Sequence, residues 1–312
     1  MTTTTAVRDD LAVPTRKTGF RTLLGKLARD PWAVASSTTI VVFVLAAVFA
    51  DQLTGITGND PYTYHQDLLD AKGQPTGWGG GIGADHWFGV EPLTGRDLFA
   101  IVVYGARTSL FIGISATVLS VLIGTIVGIT SGYFGGWYDR IVSRGVDVMF
   151  GFPTLVFLIA LMAIIPADVP RPPFIALVIG LFGWPGISRI VRGQALALRE
   201  RNFVVASKAM GARSWRIVLG QVLPNVGATI IVVTSIIIPG MIAAEAALSF
   251  LGVGVTPPTP SWGRTIGDAV LWVRTSPMYL VFPGAALFLI TLAFNLFGDS
   301  LRDALDPRTA RR

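Results

Sequence analysis

The sequence predicts an all-α integral membrane protein with six transmembrane helices, and three observations carry that prediction. Hydrophobic residues make up 52% of the 312 residues and charged residues only 14%, where an ordinary soluble domain carries about 25% charged residues. The apolar residues gather in windows free of Asp, Glu, Lys and Arg, several of them close to the ~20 residues that a helix needs to cross a hydrocarbon core. Lys and Arg collect between alternate windows, which is how membrane proteins place them. A mean hydropathy of +0.61 agrees.

The charge-free windows run 31–50, 108–138, 148–167, 172–188, 217–244, 246–263 and 275–298. Only Glu245 separates the fifth from the sixth, and Pro257, Pro258 and Pro260 must lie outside any helix, because proline lacks the backbone donor and clashes with the preceding turn. Those two windows therefore make one span. The predicted spans are 33–50, 108–130, 148–166, 173–188, 226–250 and 279–298. Val48-Phe49-Ala50 resembles a small-residue cleavage site, but the basic leader before it is long for a signal peptide. Cleavage would also leave five spans, so the first span is read as retained.

Orientation follows from Lys and Arg. They fill the segments before the first span, between the second and third (Arg140, Arg144), between the fourth and fifth (Arg189 to Arg216) and after the sixth. The other side carries only Lys72, Arg96, Arg107, Arg171, Arg264 and Arg274. Both termini are expected in the cytoplasm, with residues 1–32 and 299–312 as tails. Residues 51–107 form an external segment, glycine-rich around 77–83 and read there as loop, with a short helix expected near Arg96–Tyr104. Residues 108–298 form a five-helix core that contains a cytoplasmic segment, 189–225, and a second external loop, 251–278. Pro153, Pro185, Pro239 and Pro283 fall inside spans. Such prolines suit a bundle that rocks or opens, and equally well suit plain packing.

Composition also excludes chemistry. There is no cysteine, hence no disulfide scaffold and no thiolate metal site. His65 and His86 both precede the second span, so no span offers axial histidines for haem, and no His-Glu-x-x-His pattern exists. Asp147 sits at a span edge and Glu245 stands alone, so the paired membrane carboxylates of an aspartyl protease are missing. The nearest approach to a phosphate-binding loop, Gly19 to Gly25-Lys26, has one residue too many and Leu27 where Ser or Thr should bind magnesium. If the protein runs on ATP, another chain must hydrolyse it, and no catalytic or metal site is expected here. The basic residues form no patch with interleaved aromatics, which argues against nucleic acid. Glu245 is the one clear ionisable residue within a span, and such residues are functional candidates. Its expected place near the outer end of the fifth span, within reach of water, favours a structural hydrogen-bonding role over a role in a transport pathway.

Residues 202–225 hold the most informative segment. Helix formers and small residues run from Asn202 to Met210, and Gly211 reads as a stop. Ser214 is placed to cap a second short helix, which Pro224 should end before the fifth span. Small residues let a partner backbone approach, and Phe203, Met210 and Trp215 are large enough to fill a partner's groove. An amphipathic helix lying on the membrane surface fits the same residues.

This segment resembles the E-A-A-x3-G-x9-I-x-L-P loop of ABC importer permeases. Ala206, Gly211, Leu223 and Pro224 match at the right spacing, while Val205, Ser207 and Gln221 stand where the pattern has Glu, Ala and Ile. Further stretches resemble the C-type permeases of bacterial dipeptide and oligopeptide importers: His86-Trp87-Phe88-Gly89, Gly95-Arg96-Asp97, Gly132-Tyr133-Phe134-Gly135-Gly136, Gly183-Trp184-Pro185-Gly186, Leu248-Ser249-Phe250-Leu251-Gly252, Pro257 to Gly263, and Ala293 to Asp299. The likeness spans about residues 20–308 and departs from the family at 54–80 and at Val90–Thr94.

The resemblance implies a multi-pass permease of the bacterial plasma (inner) membrane, embedded in the lipid bilayer and not itself an enzyme. It implies a heterodimer with a B-type permease, two ATPase subunits that hold ATP and magnesium, and an external peptide-binding protein. It places the coupling to an ATPase on Phe203, Ala206, Met210, Gly211, Leu223 and Pro224. Nickel importers have similar permeases, so nickel or another small solute is the alternative cargo. A stand-alone channel or ion-driven carrier would need coupling carboxylates in its spans, and only Glu245 is available.

Overall fold

The computed structural model describes residues 20–166 and 169–305. Its helices are α1 (Phe20–Leu27), α2 (Pro31–Val48), α3 (Ala50–Thr57), α4 (Leu98–Phe134), α5 (Gly136–Gly151), α6 (Thr154–Ala163), α7 (Arg171–Arg199), α8 (Asn202–Ala209), α9 (Ser214–Ile217), α10 (Leu223–Phe250), α11 (Trp262–Ala269) and α12 (Met278–Leu305). Among the described residues, five continuous helical stretches are long and apolar enough to cross a membrane: α2, α4, α7, the run Ser214–Phe250, and α12. The pair α5–α6, taken as one broken span, makes six. Lys26 Nζ donates to the Ala304 carbonyl at 3.0 Å, so the two described ends of the chain lie together at what we call the basic end of the bundle. The tails at 1–19 and 306–312 fall outside the described residues.

Several boundaries differ from the sequence reading. The predicted third span, 148–166, is not one rod: α5 and α6 meet at 79°. Pro153 causes the break, because the residue before a proline is pushed out of the helical region, and Phe152 is extended at φ −84°, ψ 136°. The short helix expected near Arg96–Tyr104 is the first part of α4. Asp97 starts that helix by accepting from the Ala100 amide at 2.7 Å. Arg107 does not interrupt it, because its guanidinium reaches sideways to the Ala47 carbonyl at 2.9 Å and to Asp51 at 3.1 Å. A hydrogen bond from the Tyr104 hydroxyl, then Arg107 itself, holds the Asp51 carboxyl below its ordinary range. A charge count truncated α4 and α7 because Arg107 and Arg189 reach polar partners from within their helices, and the fifth span was cut short because Pro224 reads as a stop.

The intimate pair is α4 with α7. Gly124, Gly128 and Gly132 form a four-residue repeat on α4 that meets Ile187, Ser188, Val191 and Arg192 of α7; a Cβ at Gly128 would stand 2.7 Å from the Ser188 carbonyl. In lipid, where burial of apolar surface drives little, such small-residue ridges let two backbones gain dispersion contact. Arg192 and Arg189 of α7 then hold α5 through Asp139 at 2.5 Å and Asp147 at 2.8 Å. Pro185, Pro239 and Pro283 lie inside helices. Pro239 and Gly240, with Gly284, line an open cleft of about 620 Å³ between α10 and α12, the kind of place where freed backbone groups are tolerated.

At the opposite end, residues 58–97 fold into a cap. Gly77, Gly79, Gly80 and Gly81 turn at positive φ, in line with the expected loop. The cap is anchored by polar and aromatic contacts: His86 Nδ1 to Asp97 at 2.7 Å, Arg96 Nε to Glu91 at 2.5 Å, the Tyr279 hydroxyl to Glu91 at 3.2 Å, and Phe88 stacked on Phe282 with ring centres 4.0 Å apart. The expected loop 251–278 contains α11, which begins at Trp262. That side chain is fully buried, its Nε1 donating to the Val102 carbonyl at 2.9 Å.

Candidate functional site

The segment 202–225 is a helix, a tight turn and a second helix, at the basic end. The turn is built by Gly211. With φ +79°, it occupies the left-handed region that costs an ordinary residue about 1–2 kcal/mol. Its amide donates to the Lys208 carbonyl at 3.0 Å, and the Ala212 amide donates to the Ser207 carbonyl at 3.0 Å. This pair of bonds is the Schellman closure, which satisfies the last carbonyls of α8. Beyond it, Ser214 does not cap: Arg213 takes the cap position and no side chain bonds there.

Pro224 does not end the second helix as expected. The chain is helical without interruption from Ser214 to Phe250. A wide turn, Val218–Val222, precedes Pro224, closed by the Leu223 amide on the Val218 carbonyl. A turn of this width makes room for a proline ring that would otherwise clash with the carbonyl four residues back. The consequence is a single rod of 37 residues, ~55 Å long at 1.5 Å per residue, with α9 at its foot.

Two faces of the segment do different things. Val204, Ile217, Val218 and Val222 are buried against Ile129, Tyr133, Ile187, Val191 and Ala195 of α4 and α7. Helical spacing turns the other face of α8 outward: Phe203, Ala206 and Met210 are all exposed, Met210 by 80%. Val205, where the pattern has Glu, is 52% exposed, so this chain presents an aliphatic surface there. Of the predicted coupling residues, the structure thus brings Phe203, Ala206, Met210 and Gly211 to one open surface. Pro224 is exposed at the start of α10, and Leu223 is half-buried, packed against the buried cluster.

Sequence reasoning missed what fixes the segment in place. Gln221 Nε2 donates to Ser207 Oγ at 2.7 Å, so the two polar departures from the pattern bond to each other across the turn. Each was visible singly; only their joint substitution signalled a pair. Lys208 Nζ lies 4.9 Å from the centre of the Tyr133 ring, and Trp215 meets Phe134 edge-on at 5.4 Å, which holds the second helix to the foot of α4.

Glu245 is far from this surface, near the cap end of α10, and it is not within reach of water: the residue is 0% exposed. Its Oε1 accepts from Ser249 Oγ at 2.7 Å and from Ser261 Oγ at 3.0 Å. It takes part in none of the ion pairs among the described residues.

The chain is similar to a dipeptide transport system permease protein of Alkalihalophilus pseudofirmus, 36% identical over 93% of this chain and 90% of the relative. It is also similar to a glutathione transport system permease protein of Pectobacterium atrosepticum, 35% identical over 94% of this chain and 92% of the relative. Residues 120–311, which include the rod and the exposed face of α8, match the family model of the binding-protein-dependent transport system inner membrane component. The helix–turn–helix at 202–225, the spans around it and this match together place the chain in that family of inner-membrane transport permeases.

Proposed function

We propose that this chain is one of two transmembrane permease subunits of an ATP-driven importer for dipeptides or oligopeptides, and that it forms half of the translocation pathway. The observation that carries the reading is the exposed apolar face of α8, held rigidly at the foot of a helix that continues through the membrane. A surface of Phe203, Val205, Ala206 and Met210 is what a groove on a partner protein needs, and the family's dependence on a binding protein supplies the setting. Peptide cargo follows the names of the relatives.

In this reading the basic end faces the cytoplasm and the cap faces outward. A B-type permease completes the pathway, two ATPase subunits bind ATP and magnesium and carry all hydrolysis, and an external peptide-binding protein delivers cargo at the cap. Closure of the ATPases displaces α8, and the rod from Ser214 to Phe250 carries that displacement into the bilayer. A partner can shift such a two-state element only by its differential affinity for the two positions. The Schellman turn and the Ser207–Gln221 bond keep α8 from yielding locally and dissipating the push.

The test is purification of the tagged chain from detergent-solubilised native membranes, followed by an ATPase assay. Co-elution of a second permease and ATPase subunits, with hydrolysis stimulated by a peptide-loaded binding protein, is the expected result. A chain that elutes alone and still transports in liposomes overturns the proposal.

A further inference from the structure

We propose that Glu245 is a positioning residue for gating: it clasps both feet of the outer loop 255–261 to the rod, so that the loop moves with α10. Ser249 Oγ, which donates to Glu245, also accepts from the Val255 amide at 3.1 Å, pinning the first foot. Ser261, which donates to the same oxygen, caps α11 by accepting from the Arg264 amide at 3.3 Å, pinning the second. Ser109 of α4 lies beside the carboxyl, its hydroxyl and Glu245 Oε2 both buried and short of a well-aligned hydrogen bond. Three parts of the chain, α4, α10 and the junction of the loop with α11, therefore converge on one carboxyl, and Ser109, Glu245, Ser249 and Ser261 are all fully buried. Between the pinned feet, Thr256, Pro257 and Pro258 are exposed. The Pro258 carbonyl accepts from Arg96 of the cap at 3.3 Å, so the clasped loop is also the cap's contact with this part of the bundle.

A buried carboxyl with one oxygen held by two hydroxyls and the other unpartnered is costly to maintain and poorly suited to carrying cargo or a coupling ion. Its geometry suits joining instead: the rod begins under α8 and reaches Glu245 without a break, so a push at one end arrives at the loop at the other. This inference rests on the importer reading and adds the outer end of its stroke.

The chain has no cysteine, so Thr256→Cys gives a single thiol on the clasped loop. In the purified complex, its labelling by a membrane-impermeant maleimide is expected to differ severalfold between nucleotide-free and ATP–vanadate-trapped states. Glu245→Ala should abolish that difference and lower peptide uptake about tenfold, while ATP hydrolysis continues. Glu245→Gln, whose amide oxygen accepts the same two hydroxyls, should restore both. If Glu245→Ala fails to assemble, Ser261→Ala, which removes only the loop's donor, must show the same loss in an assembled complex. State-dependent labelling and normal uptake in Glu245→Ala, or in Ser261→Ala where the first fails to assemble, overturn the clasp, as does Glu245→Gln behaving like Glu245→Ala. Absence of ATPase subunits from the wild-type complex would instead count against the importer reading.

Discussion

The two ends of this bundle are built on opposite terms. The cap end closes largely on itself: Trp262 and Glu245 are fully buried, and His86, Glu91, Arg96 and Asp97 find partners within the chain, while Trp78 and Leu271 stay outward as single residues. The basic end stays open: Phe203, Val205, Met210, Trp215 and Leu219 expose large apolar surface, while a thin inner row, Val204, Ile217, Val218 and Val222, does the anchoring. An end that buries its own polar groups is finished by folding. An end that leaves apolar groups outward is finished by another molecule, because exposed apolar surface is normally removed from water by association. The rod from Ser214 to Phe250 joins the two.

The difference predicts that substitutions at the cap end act on folding and those at the basic end act on assembly. The largest effect should follow Trp262→Ala. The indole is fully buried, its Nε1 bonds the Val102 carbonyl, and its ring sits where a side chain at Gly105 would stand 2.9 Å away. Loss of so large a buried group should cost about 4 kcal/mol, read as a lowered unfolding midpoint in detergent. A midpoint like that of the wild type would break the comparison at its closed end.

Next is Gly211→Pro. Proline fixes φ near −65°, whereas this position needs +79° and a donor to Lys208. The cost, about 3 kcal/mol from forbidden backbone and a lost bond, falls on the turn alone. The expected outcome is a membrane-inserted chain whose unfolding midpoint falls less than that of Trp262→Ala, with ATP hydrolysis uncoupled from uptake. Normal transport would sink the role given to the turn.

How much of this was legible depended on which force wrote it. The spans were legible because lipid offers no partner to a backbone amide, so length and apolarity must be spelled out in sequence. Helix ends were not, because Arg107 and Arg189 reach polar partners from within helices that a charge count would terminate. Pro224 read as a stop because the wide turn before it depends on backbone geometry that no side chain announces. Glu245 read as near water because it is closed over by Ser261, distant in sequence at the start of α11, which folds back onto it. At the exposed face of α8, Gly211 and the outward residues were legible from local pattern, while the Ser207–Gln221 bond needed the fold to bring two distant departures together.

That bond gives a sharper test of the basic end. Ser207→Ala leaves the Gln221 amide without its acceptor, and Gln221→Ile leaves the Ser207 hydroxyl without its donor. Each single change should cost about 1 kcal/mol. Both together install the residues that the E-A-A pattern carries, and replacing two partners by apolar groups can be nearly neutral. The double variant should therefore recover most of the loss, a coupling of about 2 kcal/mol in magnitude in a double-mutant cycle on the unfolding midpoint. Additive losses would mean that the two residues act independently.

The smallest effect on stability should come from the most exposed residue. Met210→Ser removes a thioether that is 80% open and touches no buried cluster, so the isolated chain should change by less than about 0.5 kcal/mol. The same substitution deletes a flexible apolar anchor from the surface proposed to meet the ATPase, where truncating a central anchor costs upwards of about 1 kcal/mol of binding. Co-purification of the ATPase subunits should fall severalfold while the unfolding midpoint holds. If instead stability falls and co-purification does not, Met210 is packed within its own chain or against lipid, and the open end of the bundle is finished by something other than the partner proposed for it.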